Sequence, residues 1–164
     1  MMEERLDTSR RAVFMAGVHD GVPIALGYFV VAFTLGILAK TAGLTPWQGF
    51  VTSAVNIASA GEYAGFTVIA AQAPYVEIAL LTLVANARYF LMSAALTQRF
   101  SPETPLLHRL AVSFGVTDEV FGITVARGGT VNPYYNYGAL AISVPAWSAG
   151  TSAGILAGGI LPSA

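Results

Sequence analysis

The 164-residue chain contains no cysteine, which excludes disulfides, thiolate metal ligands and cysteine nucleophiles together. Histidine is almost as scarce: with only His19 and His108, a histidine-rich metal site is not expected, and nothing implies a cofactor. Charge is short as well, at 10% of residues, against about 25% in an ordinary soluble domain. Eight lysines and arginines nearly balance nine aspartates and glutamates, for a net charge of -1, so nothing favours nucleic acid as a partner. What is present is apolar, with 55% hydrophobic residues and a mean hydropathy of +0.64. The composition reads as an all-α integral membrane protein with the lipid bilayer as its solvent.

A crossing needs about 20 mainly apolar residues, and the intervals between charges give five segments, near residues 21–39, 48–71, 75–97, 107–126 and 137–161. Gly43, Pro46 and Trp47 punctuate the first loop, Pro74 the second, and Pro102 and Pro105 the third. Gly128-Gly129, Asn132-Pro133 and the tyrosines at 134, 135 and 137 read as a turn and an aromatic belt before the fifth segment. The loops leave no room for a soluble domain, so residues 1–164 are expected to form one polytopic membrane domain. Ser9-Arg10-Arg11 resembles a twin-arginine signal, but the stretch behind it lacks a small-residue cleavage site and is expected to be retained. With five crossings, Arg5, Arg10, Arg11 and Arg127 face the cytoplasm and Lys40, Arg99 and Arg109 face outward. With a re-entrant second segment, Arg99 and Arg109 join the N-terminal arginines, which fits the positive-inside rule better. Both versions stay open at this point.

Two pieces of the chain recur in the same order. Gly17-Val18-His19-Asp20-Gly21-Val22 returns as Gly115-Val116-Thr117-Asp118-Glu119-Val120, and Ser59-Ala60-Gly61-Glu62-Tyr63-Ala64-Gly65 as Ser148-Ala149-Gly150-Thr151-Ser152-Ala153-Gly154. This suggests an inverted repeat of three segments, over about residues 12–100 and 107–164, with the last segment of the second copy missing. The alternative is that small residues merely let helices pack closely. On the repeat reading, Gly61 and Gly150 should mark breaks or tight crossings.

An ionisable group at the bilayer centre costs roughly 2.5 to 3.5 kcal/mol on insertion scales, so it usually faces a cavity or a partner. Glu62, Arg88, Asp118 and Glu119 lie deep in their segments, whereas Asp20, Glu77 and Arg109 lie near segment ends and read first as anchors or caps. Thr52, Asn56, Ser59 and Tyr63 fall on one helical stripe beside Glu62, whose bland alternative is a structural pair with Arg88. Arg88 brings a planar donor fork suited to a carboxylate, and Asn86, Tyr89, Ser93 and Thr97 continue its polar stripe. Asp118, with Ser113 and Thr117, is the acidic counterpart, while Glu119 projects about 100° further round the helix. Three deep acids face one arginine. Either one acid holds a proton, or a cation or substrate ammonium group completes the balance.

At these residues the chain resembles a known family. Gly17-Val18-His19-Asp20-Gly21-Val22-Pro23-Ile24, Val31-Ala32-Phe33-Thr34-Leu35-Gly36, Asn86-Ala87-Arg88-Tyr89-Phe90-Leu91-Met92-Ser93 and Gly115-Val116-Thr117-Asp118-Glu119-Val120-Phe121 are similar, in order, to the AzlC family of branched-chain amino acid permeases. The resemblance implies the large subunit of a two-component exporter. It would work with a small hydrophobic AzlD partner and move leucine, isoleucine, valine or similar amino acids out of bacterial cells. Residue by residue it touches Asp20 and Pro23, Arg88, and Thr117, Asp118 and Glu119. Two positions depart from the family, which commonly has Ser-Gln at Gly61-Glu62 and histidine at Tyr89; family chains also continue past Ala164 with further spans.

The expectation is therefore a non-enzymatic permease of the bacterial inner membrane that binds a small zwitterionic amino acid near the membrane middle. Arg88 would take the carboxylate, Asp118 or Glu62 the ammonium group, and Ser59, Gly61, Asn86 and Thr117 would line the site. Glu62, Asp118 and Glu119 are the candidates for proton coupling, and no metal is expected. A homo-oligomer is a further expectation, and the competing reading is a channel or a non-transporting accessory subunit of a larger complex.

Overall fold

The computed structural model describes residues 2–160, with side chains from Ser9 onward. Leu161, the expected end of the fifth segment, and the side chain of Arg5 lie outside the described residues. The described residues form seven helices and no strand: α1 (Met2–Thr41), α2 (Pro46–Val55), α3 (Ser59–Ala70), α4 (Tyr75–Thr97), α5 (Leu106–Phe114), α6 (Asp118–Ala126) and α7 (Pro133–Gly158). The chain is a multi-pass all-α membrane protein. Of the seven, α1 from Ser9, α4 and α7 are long and apolar enough to cross a bilayer.

The second and fourth sequence segments are not single helices: a break in the second is expected at Gly61 and falls just before it, whereas the fourth is corrected from one helix to two. The second is interrupted at Asn56-Ile57-Ala58, and the fourth at Gly115-Val116-Thr117. The polar stripe expected to run through Thr52, Asn56, Ser59 and Tyr63 is therefore cut in the middle, and Tyr63 points outward, 59% exposed. The first segment also begins much earlier than residue 21, because no proline precedes Pro23 and Glu3, Glu4 and Arg5 are good helix formers. Asn132-Pro133 opens α7 rather than a turn: proline suits a first helical position, and the Asn132 side-chain oxygen accepts from the Tyr134 amide at 3.1 Å.

Local chemistry sets the other boundaries. Gly43, at φ +81, turns the chain after α1. Thr45 and Gln48 then form a capping box with Pro46 in the first turn of α2. Thr117 caps α6 by accepting from the Val120 amide at 3.3 Å. The two recurring sequence pieces lie in unlike backbone. Gly17–Val22 is inside the continuous α1, whereas its match runs from a helix break into α6; Ser59–Gly65 opens α3, whereas its match is inside α7.

The residues divide into two compact units. In the unit of Met1–Ile24 and Tyr89–Ser143, the core is Leu96, Phe100, Val112, Val116 and Val131, flanked by Tyr89, Met92, Phe121 and Tyr137. In the unit of Ala25–Arg88 and Val144–Ala164, α1 and α7 approach so closely that a methyl group on Gly36, Gly150 or Gly154 would strike backbone of the facing helix. Gly150 is thus at a tight crossing, as expected, since a Cβ there would lie 2.5 Å from the Phe29 carbonyl oxygen.

Candidate functional site

The interruption between α2 and α3 lies in the second of these units. The Asn56 amide still donates to Thr52 O at 2.8 Å, and the Glu62 amide to Ala58 O at 2.9 Å. Between these two bonds the ladder stops. The carbonyls of Ser53, Ala54 and Val55 end α2 without helical donors, and the amides of Ser59, Ala60 and Gly61 open α3 without helical acceptors. Ala58 supplies no side-chain cap. Such groups are costly inside a membrane unless something polar meets them.

Glu62 sits in the first turn of α3 and is 1% exposed. The Trp147 indole N–H, from the middle of α7, donates to Glu62 Oε1 at 2.6 Å, and Trp147 in turn packs edge-on against Tyr28, with ring centroids 5.3 Å apart. Trp147, not Arg88, is therefore the partner of the Glu62 carboxyl. The second oxygen, Oε2, has no hydrogen-bond partner. Ser53 is the hydroxyl beside this carboxyl, but its hydrogen goes to Thr151 Oγ1 at 2.7 Å.

Next to Glu62 on α3, Gly61 is in contact with Asn86 and Asn56: a Cβ on it would lie 2.8 Å from Asn86 Nδ2 and 3.1 Å from Asn56 Nδ2. The Asn86 amide reaches Asn56 Oδ1 at 3.5 Å, and its own Oδ1 is buried without a partner. Ser148 Oγ, one residue after Trp147, is buried and unpartnered as well. Each of these buried atoms can accept a hydrogen bond, so the region around the break is rich in acceptors.

The structure brings Gly61 and Asn86 together at the break and places Glu62 in the same turn of α3, while Ser59 is exposed at the start of that helix. Arg88 is exposed, two residues beyond Asn86 on α4. Thr117, Asp118 and Glu119 belong to the other unit, where Thr117 is buried as the cap of α6 and the two acids are exposed in its first turn. Acids there also complement the positive end of the helix dipole. Asp20, read as an anchor, accepts from the Tyr135 hydroxyl at 2.7 Å, with Arg127 3.8 Å away and lying over the Tyr135 ring. In the same unit Asn136 is fully buried and donates to Thr124 Oγ1 at 2.8 Å.

Trp147, Ser148 and the Ser53–Thr151 pair are not among the site residues expected from the sequence, although Ser148 and Thr151 lie in its recurring piece. A signal for Trp147 existed. Membrane tryptophans collect at the two interfaces, whereas this one stands in the middle of its segment.

The family description "AzlC protein" matches residues 23–161, which covers most of the chain. The chain belongs to the AzlC family. An uncharacterized membrane protein of Archaeoglobus fulgidus is 30% identical over 153 residues, covering 93% of this chain and 66% of the relative. The inner membrane protein YgaZ of Escherichia coli is 29% identical over 116 residues, covering 71% of this chain and 47% of the relative. The AzlC chain described here thus spans about two thirds and half the length of these two relatives. No solved structure matches it. Membership of the AzlC family, with relatives named as membrane and inner membrane proteins, identifies the chain as a membrane protein of that family.

Proposed function

We propose that this AzlC protein is the substrate-carrying part of a secondary transporter in a bacterial inner membrane, exporting branched-chain or similar neutral amino acids. The observation that carries the reading is the buried carboxyl of Glu62, bonded through one oxygen and unpartnered at the other, in the first turn of a helix that begins inside the chain's apolar region. Burying a carboxylate with one donor leaves much of its lost hydration unreplaced. A substrate ammonium group or a proton at Oε2 supplies the missing donor. The α3 amides of Ser59, Ala60 and Gly61 are suited to a carboxylate, as helix N-termini are in other transporters. A zwitterionic amino acid offers both groups at about the right scale, and its aliphatic side chain needs only an apolar wall.

Glu62 is the coupling residue on this reading, alternately holding a proton and a substrate amine. Arg88, on α4, is a second partner for the substrate carboxylate through its bidentate fork, and Asp118 and Glu119, in the other unit, are further proton-coupling acids. The protein carries out no covalent chemistry. It works with a small hydrophobic AzlD-type partner and assembles as a homo-oligomer.

Counterflow in proteoliposomes preloaded with leucine tests the reading. A carrier exchanges external labelled leucine, isoleucine or valine with saturation, and exchange falls when lysine or glutamate replaces them. Linear, non-saturating flux would make the protein a channel, and silence in both the presence and absence of the small partner would make it an accessory subunit.

A further inference from the structure

Within the unit of Met1–Ile24 and Tyr89–Ser143, several helix ends are gathered. The Arg10 guanidinium lies 5.3 Å over the Tyr134 ring, so the start of the apolar part of α1 meets the start of α7. Arg99, just past α4, donates to Val125 O at 3.2 Å and Gly129 O at 2.9 Å, and the Val131 amide donates to Arg99 O at 2.9 Å. These bonds join the end of α4 to the end of α6 and the loop before α7. In the first turn of α5, Arg109 reaches back to Ser101 O at 2.8 Å and Thr104 O at 3.0 Å. A cavity of about 510 Å³ is shared by Arg10, Thr104, His108, Thr130 and Tyr134.

A helix that crosses a bilayer once leaves its two ends on opposite faces. Because α1, α4 and α7 are the described helices able to cross, and the start of α1, the end of α4 and the start of α7 share one face, the other ends of all three share the opposite face. Residues 46–70 then enter and leave by that second face, and residues 106–126 by the first. The helices α2, α3, α5 and α6 have 10, 12, 9 and 9 residues. Each is about 14 to 18 Å long, near half of a hydrocarbon core of about 30 Å. Partners in the second unit give the matching depth: Asn56 meets Asn86 at the midpoint of α4, and Glu62 meets Trp147 near the midpoint of α7.

We infer that α2–α3 and α5–α6 are re-entrant helix pairs inserted from opposite faces, so that the described residues cross three times and α2–α3–α4 and α5–α6–α7 are two inverted copies of one motif. The sequence carries the same pairing. Gly65-Phe66-Thr67-Val68 in α3 matches Gly122-Ile123-Thr124-Val125 in α6 as G-x-T-V, and Pro74-Tyr75 at the start of α4 matches Pro133-Tyr134 at the start of α7. This pairing sets broken helix against broken helix and long helix against long helix. Arg10, Arg11, Arg99, Arg109 and Arg127 then lie on one face and Lys40 on the other. The positive-inside rule makes the arginine face cytoplasmic.

A chain without cysteine is suited to a direct test. Single cysteines are placed at Ser9, Thr41, Ala71, Glu103 and Thr130, all exposed and outside the half-helix tips. Intact cells expressing each variant are treated with a membrane-impermeant maleimide, and labelling is normalised to detergent-solubilised protein. Ala73→Cys and Pro102→Cys repeat the two decisive readings should either first variant fail to accumulate. The expected pattern is labelling from outside at Thr41→Cys and Ala71→Cys alone, with the other three labelled only after permeabilisation. Five crossings instead place Ala71 opposite Thr41 and Glu103 on the same face as Thr41; either result overturns the inference.

Discussion

Trp147 donates its indole hydrogen to Glu62 Oε1 across 2.6 Å, from a residue 85 positions further along the chain. An indole nitrogen is only a donor, so the bond is suited to a carboxylate oxygen and loses its purpose if the acid is replaced by an apolar group. Trp147→Phe should cost about 2 kcal/mol of stability, the usual loss for a hydrogen bond to a charged group. The double variant Trp147→Phe with Glu62→Leu should recover part of that loss, because it removes the stranded acid. Unfolding of the four purified proteins in one detergent gives the coupling between the two positions. Strictly additive losses would show that the bond contributes nothing.

Glu62→Gln retains size and an acceptor for Trp147 while fixing the neutral state. If Glu62 couples transport to protons as proposed, the variant should leave leucine binding measurable but remove the pH dependence of uptake into vesicles, because no proton can then exchange with the substrate amine. An unchanged pH profile in the Gln variant would assign proton coupling elsewhere.

Arg88→Lys retains a positive charge and loses the bidentate fork. Transport should fall by at least tenfold with little change in thermal stability. Parent-like transport in the Lys variant would reduce Arg88 to a generic counter-charge.

Gly61 and Gly65 separate contact at the break from helix propensity. A Cβ on Gly61 meets the amides of Asn86 and Asn56, whereas a Cβ on Gly65 meets nothing within 4 Å. Gly61→Ala should displace those amides and depress transport several-fold. Gly65→Ala should be neutral or stabilise the helix by up to about 1 kcal/mol. Equal transport by both variants would dissociate the asparagine pair from function.

The sequence announced some of this architecture and concealed the rest for identifiable reasons. The bounds expected for the third segment, 75–97, coincide with α4, because Pro74 starts it and no breaker interrupts it. The break at Asn56-Ile57-Ala58 contains neither glycine nor proline, so local propensity gave no warning; the contact of Gly61 with Asn86 and Asn56 is tertiary. At the fourth segment a helix start is written in the sequence but is masked by its apolar surroundings. Thr117 followed by two acids is a helix start, yet inside an apolar run it read as a pair of deep charges. Glu62 stands out in the sequence as a deep acid and is buried, but its donor is a tryptophan of the fifth segment, and no pattern within a single helix reveals a partner at that distance.

The close contacts of Gly36, Gly150 and Gly154 along α1 and α7 bear on how loss-of-function alleles of this gene should be sorted. If the protein exports amino acids as proposed, substitutions at these three glycines would abolish export by preventing assembly, and they would do so for every amino acid alike. Alleles around Gly61, Glu62 and Asn86 would leave protein in the membrane and shift which amino acids are toxic to the cell. A selection that scores resistance to several amino acid analogues, alongside the amount of membrane-inserted protein, would therefore divide the two classes without any purified material.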